Sequence, residues 1–327
     1  MLLERAGCSI PEALERMGGL QAQYAPSSYV GLWSRLAGFR RGDLDDALDD
    51  RTVVQGTLMR VTIHLVSAAD YFLFAAALRE ARRRWWLRAM KRPEAEAEIE
   101  ELARRTRELL EDGPRKRAEL LRELGIDNSM WVGVGLWMDL LRVPPSGTWE
   151  HRRADLYALA HRWLEPSDPS PEEGIDHLIS RYLGAFGPAE TADIVSWSGL
   201  PASTVTESLS RLDLRSYEGP TGKRLFDLPG LSLPNAGVSA PVRLLGTWDA
   251  LLLTHVRRAQ ILPEKFRSRV FHTKMPHSKY TFTVDGKVAG AWKLEGRTVS
   301  MEPFEDLPEV VLQEVEEEME LIAAALT

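Results

Sequence analysis

Short amphipathic helices followed by a two-strand pattern occur three times along this sequence, and this order limits the fold to a few architectures. The clearest copy lies in residues 170–235. There IDHLISRYLGAF, AETADIVSWSGL and PASTVTESLSRL have helical periodicity, and SYEGPTGKRLFDL places two short strands around a turn. Two short helices around a glycine-containing turn, followed by a hairpin, are typical of a winged helix.

The same order is predicted in the preceding residues. RTVVQGTLMRVTIHLVS (51–67) is rich in β-branched residues and predicts a short strand or hairpin. Near the end of the chain, Asp285-Gly286 lies between alternating apolar and polar residues, which predicts another hairpin. We therefore expect a mainly α protein with short β-hairpins (α+β), built from three tandem winged-helix units plus a small C-terminal α+β domain. The predicted boundaries are 1–92, 93–169, 170–235 and 236–327.

The composition is that of a folded protein of a reducing compartment. The chain has 327 residues, of which 44% are hydrophobic, and that length predicts two or three domains with real cores. One cysteine, Cys8, cannot form an internal disulfide. No signal-peptide pattern or membrane-length apolar run is present, and no heptad pattern predicts a dimer. The expectation is a cytoplasmic monomer.

The charge is unevenly distributed. The net charge is −7, but nine acidic residues and no basic ones lie between Glu302 and Glu320. Residues 1–301 then hold 41 basic against 39 acidic residues. Two segments, 79–92 and 257–279, each contain seven basic residues and one acidic residue. Concentrated basic faces bind the phosphates of nucleic acid, and a distant acidic tail does not cancel them.

Five blocks of the sequence, in order, resemble the bacterial AlkZ-like DNA glycosylases. The blocks are GGLQAQYAPSSYVGLWSRL, LMRVTIHLVSAADY, YLGAFGPAETADIVSWSGL, WDALLLTH and VDGKVAGAW. The resemblance implies a tandem winged-helix enzyme that removes alkylated purines and unhooks interstrand cross-links in DNA. Relatives usually carry a further helix before the first block, and Met1 is expected to lie inside that region.

The resemblance also implies functional residues. The family's catalytic element, a glutamine, a hydrophobic residue and a second glutamine, matches Gln21-Ala22-Gln23. Its arginine-threonine-histidine block matches Arg60, Thr62 and His64, expected to support the active site, and its C-terminal block matches Asp249 and His255. Two positions depart from the family pattern: Val61 replaces a usual glycine, and Arg257 replaces an acid expected soon after the histidine.

The chemistry suits a glutamine pair. Alkylation at N7 makes a purine cationic, so its glycosidic bond breaks to release a neutral base without a strong general acid. The remaining task is to position water at C1′, and a glutamine amide has both an acceptor and a donor for that. In an extended segment Gln21 and Gln23 point the same way, and the nearby glycines and Pro26 favour that conformation. The other interpretation is that both are polar loop residues that cap nearby backbone.

The supporting residues also have alternatives. Arg60 could contact a phosphate or pair with Asp50 or Asp70. His64 is either a structural histidine or a neighbour of the damaged nucleotide, and its ordinary pKa allows both protonation states. Asp249 is expected to hold the C-terminal domain. Predicted DNA-binding residues are Arg82, Arg83, Arg84, Arg88, Arg257 and Arg258.

The arginine cluster at 82–88 has an alternative interpretation, a solvated face paired with the following EAEAEIEE. No metal-ligand spacing, phosphate-binding glycine loop or nucleophile elbow is present, so we expect no metal and no cofactor. The sequence thus predicts a monofunctional DNA N-glycosylase that binds double-stranded DNA, nucleoid-associated when bound. The alternative is a non-catalytic winged-helix DNA-binding protein or transcriptional regulator. Against it, the segment PASTVTESLSRL has only Arg211 as a basic residue to read bases.

Overall fold

The computed structural model of the protein describes residues 1–220, 222–235, 237–256, 258–272 and 277–326. Within these ranges no helix is both long enough and apolar enough to cross a membrane. The α-helices are α1 Ile10–Met17, α2 Ala25–Trp33, α3 Arg41–Asp49, α4 Ala68–Ala89, α5 Glu96–Leu110, α6 Arg117–Leu124, α7 Asn128–Leu136, α8 Ala160–Trp163, α9 Pro171–Phe186, α10 Thr191–Ser198, α11 Ala202–Arg211, α12 Arg267–Val270 and α13 Glu309–Leu326. The strands are β1 Leu20–Gln21, β2 Val53–Thr57, β3 Ile63–Ser67, β4 Arg115–Lys116, β5 Leu140–Arg142, β6 Leu156–Leu159, β7 Arg215–Glu218, β8 Arg224–Asp227, β9 Arg243–Leu245, β10 Phe271–His272, β11 His277–Ser278, β12 Tyr280–Val284, β13 Lys287–Glu295 and β14 Thr298–Pro303. The mixed α+β class predicted from the sequence is confirmed.

Local sequence explains where the first helix lies. Ser9 and Glu12 form a reciprocal capping box at the start of α1. Gly18 ends the helix in the left-handed region, at φ +63°. The cap fixes the start of the helix at residue 10, and the glycine fixes its end.

The segment 170–235 has the predicted order. Ser170 and Glu173 cap α9, and α10 ends at Gly199. Helix α11 follows, and then the antiparallel pair β7–β8 takes the place of the wing. The number of winged-helix units in the whole chain stays a prediction.

One antiparallel sheet crosses the predicted boundary at residue 92. Its strand order is β1-β3-β2-β5-β6-β4. The hairpin β2–β3 joins the pair β5–β6 through Gln55 opposite Arg142 and Gly56 opposite Leu141. The hairpins of the first two predicted units are therefore one continuous sheet, and β1 lies at its edge.

The C-terminal sheet packs against the first three helices. Its strand order is β14-β13-β12-β9, and its face shares one core with α1–α3 and α13. Leu14, Tyr29, Trp292 and Ile322 lie in that core. As a result, the segment that connects α1 to α2 lies between two sheets, one from each half of the chain.

Candidate active site

The segment Gln21-Ala22-Gln23 begins at the end of the edge strand β1 and leaves the sheet after Ala22. Gln21 lies opposite His64 in β3, and the Ala22 N–H donates to the Ile63 carbonyl at 2.8 Å. Leu20 and Ala22 are buried, whereas Gln21 is half-buried and Gln23 is exposed. Gln21 has the extended conformation predicted for the pair, whereas Gln23 lies in a bend where the chain turns towards α2.

Both glutamine amides are held by one turn, residues 58–63. Arg60 donates from Nη2 to Gln21 Oε1 at 3.0 Å. The Ile63 N–H donates to Gln23 Oε1 at 3.2 Å. Because an arginine and a backbone N–H can only donate, these contacts fix which end of each amide is oxygen. Each side-chain oxygen keeps a second lone pair.

The turn itself has an unusual backbone. Arg60 and Val61 both adopt the left-handed region, at φ +53° and +58°. The Leu58 N–H donates to the Thr62 carbonyl, and the Thr62 hydroxyl donates to the Met59 carbonyl at 3.0 Å. A β-branched residue is strained in this region, which glycine adopts freely. The glycine usual at position 61 in the family thus has a physical reason, and Val61 departs from it at the point that fixes the glutamines.

Arg60 is anchored from the other side by the third predicted unit. Its Nη1 donates to the carbonyl of Trp197, in the last turn of α10. A helix C-terminus carries partial negative charge and favours a guanidinium there. Asp70, a partner considered from the sequence, is instead bound by His177 at 2.7 Å and Arg181 at 3.0 Å. Arg60 therefore links Gln21 to α10.

Burial controls the ionisation of this site. Burial, and after it the charge of Arg258, lowers the pKa of Arg60 to about 10, so Arg60 is cationic at neutral pH. Burial, and then the charge of Arg60, lowers the pKa of His64 to about 3. His64 is consequently neutral, and its Nδ1 lies 3.0 Å from the Thr62 carbonyl, which makes it the N–H donor. Of the two protonation states open from the sequence, the structure selects the neutral one.

The predicted DNA-binding arginines differ in exposure. Arg84 and Arg88 are exposed on α4, and Arg84 pairs with Glu80 at 2.6 Å. Arg83 is half-buried, with its guanidinium 5.2 Å from the centre of the Trp137 ring. Arg82 is 5% exposed and donates to the Thr57 carbonyl, so it braces β2 and cannot meet a phosphate. The prediction that Arg82 binds DNA is therefore wrong, because Arg82 lies on the side of α4 that packs against the core.

The second basic segment is only partly described. Arg258 is half-buried over the Phe271 ring, 5.5 Å from its centre, and Arg257 lies outside the described residues. In the neighbouring block, Asp249 forms a buried ion pair with Arg35, with oxygen–nitrogen distances of 2.7 and 2.9 Å. This agrees with the structural role expected for Asp249. His255 lies 3.6 Å from the Asp193 carboxylate.

Two cavities meet at Gln23. One, of about 530 Å³, lies towards the C-terminal sheet and has Tyr24, Trp248 and Tyr280 in its wall. The other, of about 350 Å³, lies towards the six-stranded sheet and has Arg117 and Arg142 in its wall. Sequence reasoning missed these walls, because residues more than 200 positions apart form the first one and no local motif marks them.

Comparison with known proteins identifies the family. A family model of the DNA glycosylase AlkZ-like proteins matches residues 14–325. An interstrand DNA cross-link repair glycosylase of Streptomyces sahachiroi is 25% identical over 347 residues, which cover 97% of this chain and 91% of the relative. The structure of Streptomyces sahachiroi DNA glycosylase AlkZ matches with a TM-score of 0.82 and 21% identity, over 99% of this chain and 93% of that one, which establishes the shared fold. Because the family model spans nearly the whole chain, the protein belongs to the AlkZ-like family of DNA glycosylases, and the enzyme class predicted from the sequence is confirmed.

Proposed function

We propose that this protein hydrolyses the N-glycosidic bond of N7-alkylated purines in double-stranded DNA, with Gln21 and Gln23 as the catalytic residues. The N9–C1′ bond breaks with its electron pair going to N9, which neutralises the cationic purine. A water oxygen then bonds to C1′, and its proton is released to solvent. The enzyme supplies position and electrostatics rather than a strong acid or base.

One observation carries the proposal. The amides of Gln21 and Gln23 are both bound through their oxygens to the turn 58–63, and Gln23 lies where two cavities meet. The second lone pair of each oxygen can accept a hydrogen from the attacking water, and the NH₂ groups can donate to the same water or to the sugar. The bond from the Ile63 N–H to Gln23 is also what a backbone-capping loop glutamine would make, so the Arg60 support of Gln21 is the contact that favours the catalytic interpretation.

Arg60, Thr62 and His64 support this pair without reacting. Arg60 orients Gln21, Thr62 closes the turn, and neutral His64 fills the space beneath it. The positive charge of Arg60 also attracts the DNA backbone, although its two hydrogen bonds to protein make orientation its main role. Asp249 and His255 are assigned structural roles.

The DNA surface is proposed to include the accessible predicted arginines. Arg84 and Arg88 offer exposed guanidinium groups, and Arg83 and Arg258 are half-buried. The exposed side chain of Trp85 lies in the same part of α4. We propose that one copy of the chain binds duplex through the three predicted winged-helix units, and that DNA binding makes the protein nucleoid-associated.

Cross-linked DNA is included among the proposed substrates, because the curated relative is an interstrand DNA cross-link repair glycosylase. The test is base release by the intact protein from a duplex with one N7-methylguanine and from a duplex with one N7-linked interstrand cross-link. Undamaged duplex of the same sequence is the control. Release of the alkylated base, or unhooking of the cross-link, supports the proposal. Retained duplex binding with neither reaction would contradict it.

A further inference from the structure

The larger of the two cavities at Gln23 has the walls of a binding site for a flat aromatic ring. It occupies about 530 Å³ between the Gln23-Tyr24 segment and the four-stranded C-terminal sheet. We propose that this cavity, called here the aromatic cavity, receives the purine of an N7 monoadduct together with its N7 substituent. A purine that is cross-linked to the opposite strand cannot leave the stack in this way, so the inference covers monoadducts only. The inference rests on the proposed function and goes beyond it, since it states where the base goes. The lining residues that the argument uses include Tyr24, Trp248, Lys279, Tyr280, Lys293 and Ser300.

Aromatic rings form the apolar part of the wall. Tyr280 stacks on Trp292, with ring centres 4.6 Å apart and planes 15° from parallel. Tyr24 lies 6.5 Å from Tyr280 and is 38% exposed. Aromatic faces attract flat rings through stacking and attract cations through the ring quadrupole. An N7-alkylated purine is both flat and cationic before its bond breaks.

Trp248 is held at the cavity by a strained backbone. Its φ is +57°, a value that a bulky residue rarely adopts. The backbone N–H of Trp248 donates to the Ser278 hydroxyl at 2.8 Å, and Ser278 is buried. Strain of this kind costs about 1–3 kcal/mol and persists at functional sites, where it fixes a side chain in place. Here it fixes an indole in the wall of the cavity.

The size of the cavity fits a substituted base better than a bare one. Sites for small organic ligands have volumes of roughly 300–1,000 Å³. The volume of about 530 Å³ leaves room beyond a purine for an aryl or alkyl group. Enzymes that act on a base in duplex DNA turn it out of the stack into such a pocket.

Charges at the cavity suit a base that is still attached to DNA. The ammonium groups of Lys279 and Lys293 are both exposed and are placed to meet phosphates of the strand that supplies the base. Glu302 is bound by Arg269 at 2.8 Å and by Lys279 at 3.5 Å. The Arg269 hydrogen bond lowers the pKa of the Glu302 carboxyl, so the carboxylate stays ionised. Gln23 lines both this cavity and the smaller one, so a base in the aromatic cavity would lie beside the glutamine pair.

The test is binding of a free nucleoside to the full chain, with no excision step. Calorimetry with 7-benzylguanosine should give saturable binding at least tenfold tighter than with guanosine. Trp248→Ala removes a wall and Ser300→Trp narrows the cavity, and each should weaken binding at least tenfold. Thr298→Trp is the matched control, because Thr298 is exposed on the same strand as Ser300 and lies outside the described lining; it should bind as the wild type does.

Equal binding of the two nucleosides, or unchanged binding in both cavity variants, would overturn the inference. If Trp248→Ala does not fold, Ser300→Trp at an exposed position carries the test. Gln21→Ala separates the two proposals, because Gln21 does not line the aromatic cavity: it should lose excision and keep nucleoside binding. Excision without selective nucleoside binding would support the proposed function and contradict this inference. Selective nucleoside binding without excision would support this inference and contradict the proposed function.

Discussion

At the scale of single residues, the proposed active site depends on which way two amides face. Arg60 has two supports, the Trp197 carbonyl and Gln21 Oε1, and both lie in other elements. A guanidinium bound through both of its terminal nitrogens has little freedom to reorient, so Gln21 is positioned before DNA binds. Preorganisation of this kind lowers the cost of reaching the reactive geometry.

Arg60→Met should therefore reduce single-turnover base excision strongly while leaving duplex affinity nearly unchanged. A reacting group that is misplaced by about 1 Å can lose roughly 100-fold in rate, and we expect a loss of that order. Arg104→Met is the matched control, because Arg104 is exposed and pairs only with Glu101 and Glu108 among the interactions described. If Arg60→Met instead weakens duplex binding and keeps the excision rate of bound DNA, Arg60 is a phosphate contact and not a positioning residue.

His64 gives a prediction about pH. Its folded-state pKa of about 3 lies below its ordinary value of 6.5, so the unfolded chain binds a proton that the folded chain excludes. The neutral His64 is compatible with folding above pH 6.5, and stability is lost as the pH falls from 6.5 towards 3. One proton of difference corresponds to at most about 1.4 kcal/mol per pH unit.

Denaturant unfolding from pH 6 to pH 4 measures how much stability the protonation of His64 costs. The comparison is His64→Phe, which has no imidazole to protonate. The wild type should lose stability more steeply than the variant over that range. Equal slopes would show that His64 is protonated in the folded protein. Excision between pH 6 and 8 should show no titration due to His64.

At the scale of elements, the conformation of the turn between β2 and β3 was the hardest to predict from the sequence. The strands on both sides are rich in β-branched residues and were predictable as a hairpin. The pair of left-handed residues at its tip was not predictable, because neither Arg60 nor Val61 favours that conformation. A neighbour from a distant part of the sequence lies against it: a Cβ added to Gly199, just after α10, would be 3.4 Å from the Arg60 backbone nitrogen.

Val61→Gly should be more stable than Val61→Ala by about 1 kcal/mol, since both remove the valine side chain and only alanine keeps the left-handed strain. At an ordinary position glycine is the less stable of the two. Urea unfolding of the two variants measures the difference. A more stable alanine variant would mean that the turn relaxes out of the left-handed region in solution.

Other elements show where local signals suffice. The stops at Gly18-Gly19 and the hairpin around Asp285-Gly286 follow from backbone preferences and were predictable. The apolar segment MWVGVGLWMDLLR has no local signal that divides it, yet its first residues belong to α7 and its last residues form β5. The helix ends at Leu136 because the following residues pair with β2 and β6, which lie far away in the sequence. The candidate site divides in the same way: the glutamine pair is local, whereas Arg60, Trp197 and the aromatic cavity are brought to it by the fold.

At the scale of the whole molecule, N-terminal and C-terminal segments of the chain pack together next to the site. The Arg35–Asp249 pair is buried on both sides, and it joins the end of α2 to the segment after β9. The same C-terminal region forms the wall of the aromatic cavity next to Gln23. A buried pair loses much of its attraction to desolvation, so its importance appears when one partner is removed.

Asp249→Ala should destabilise the protein by about 3–5 kcal/mol, because it leaves the Arg35 charge buried without a partner. The double variant Arg35→Met, Asp249→Leu removes both charges and should recover most of that loss. Thermal or denaturant unfolding of the two variants tests this. Equal destabilisation would show that Asp249 contributes through its cap on the Leu251 N–H and its packing, not through the ion pair.

The most direct test of the account compares Gln21→Ala, Gln23→Ala with the wild type in single-turnover excision of one N7-methylguanine from duplex DNA. Gln313→Ala, an exposed glutamine on α13, is the matched control. Duplex affinity and unfolding are measured on the same preparations. The account predicts that the double variant binds and folds as the wild type does and loses excision, while Gln313→Ala retains it. Excision at the wild-type rate by the double variant would contradict the assignment of the two glutamines as the catalytic residues.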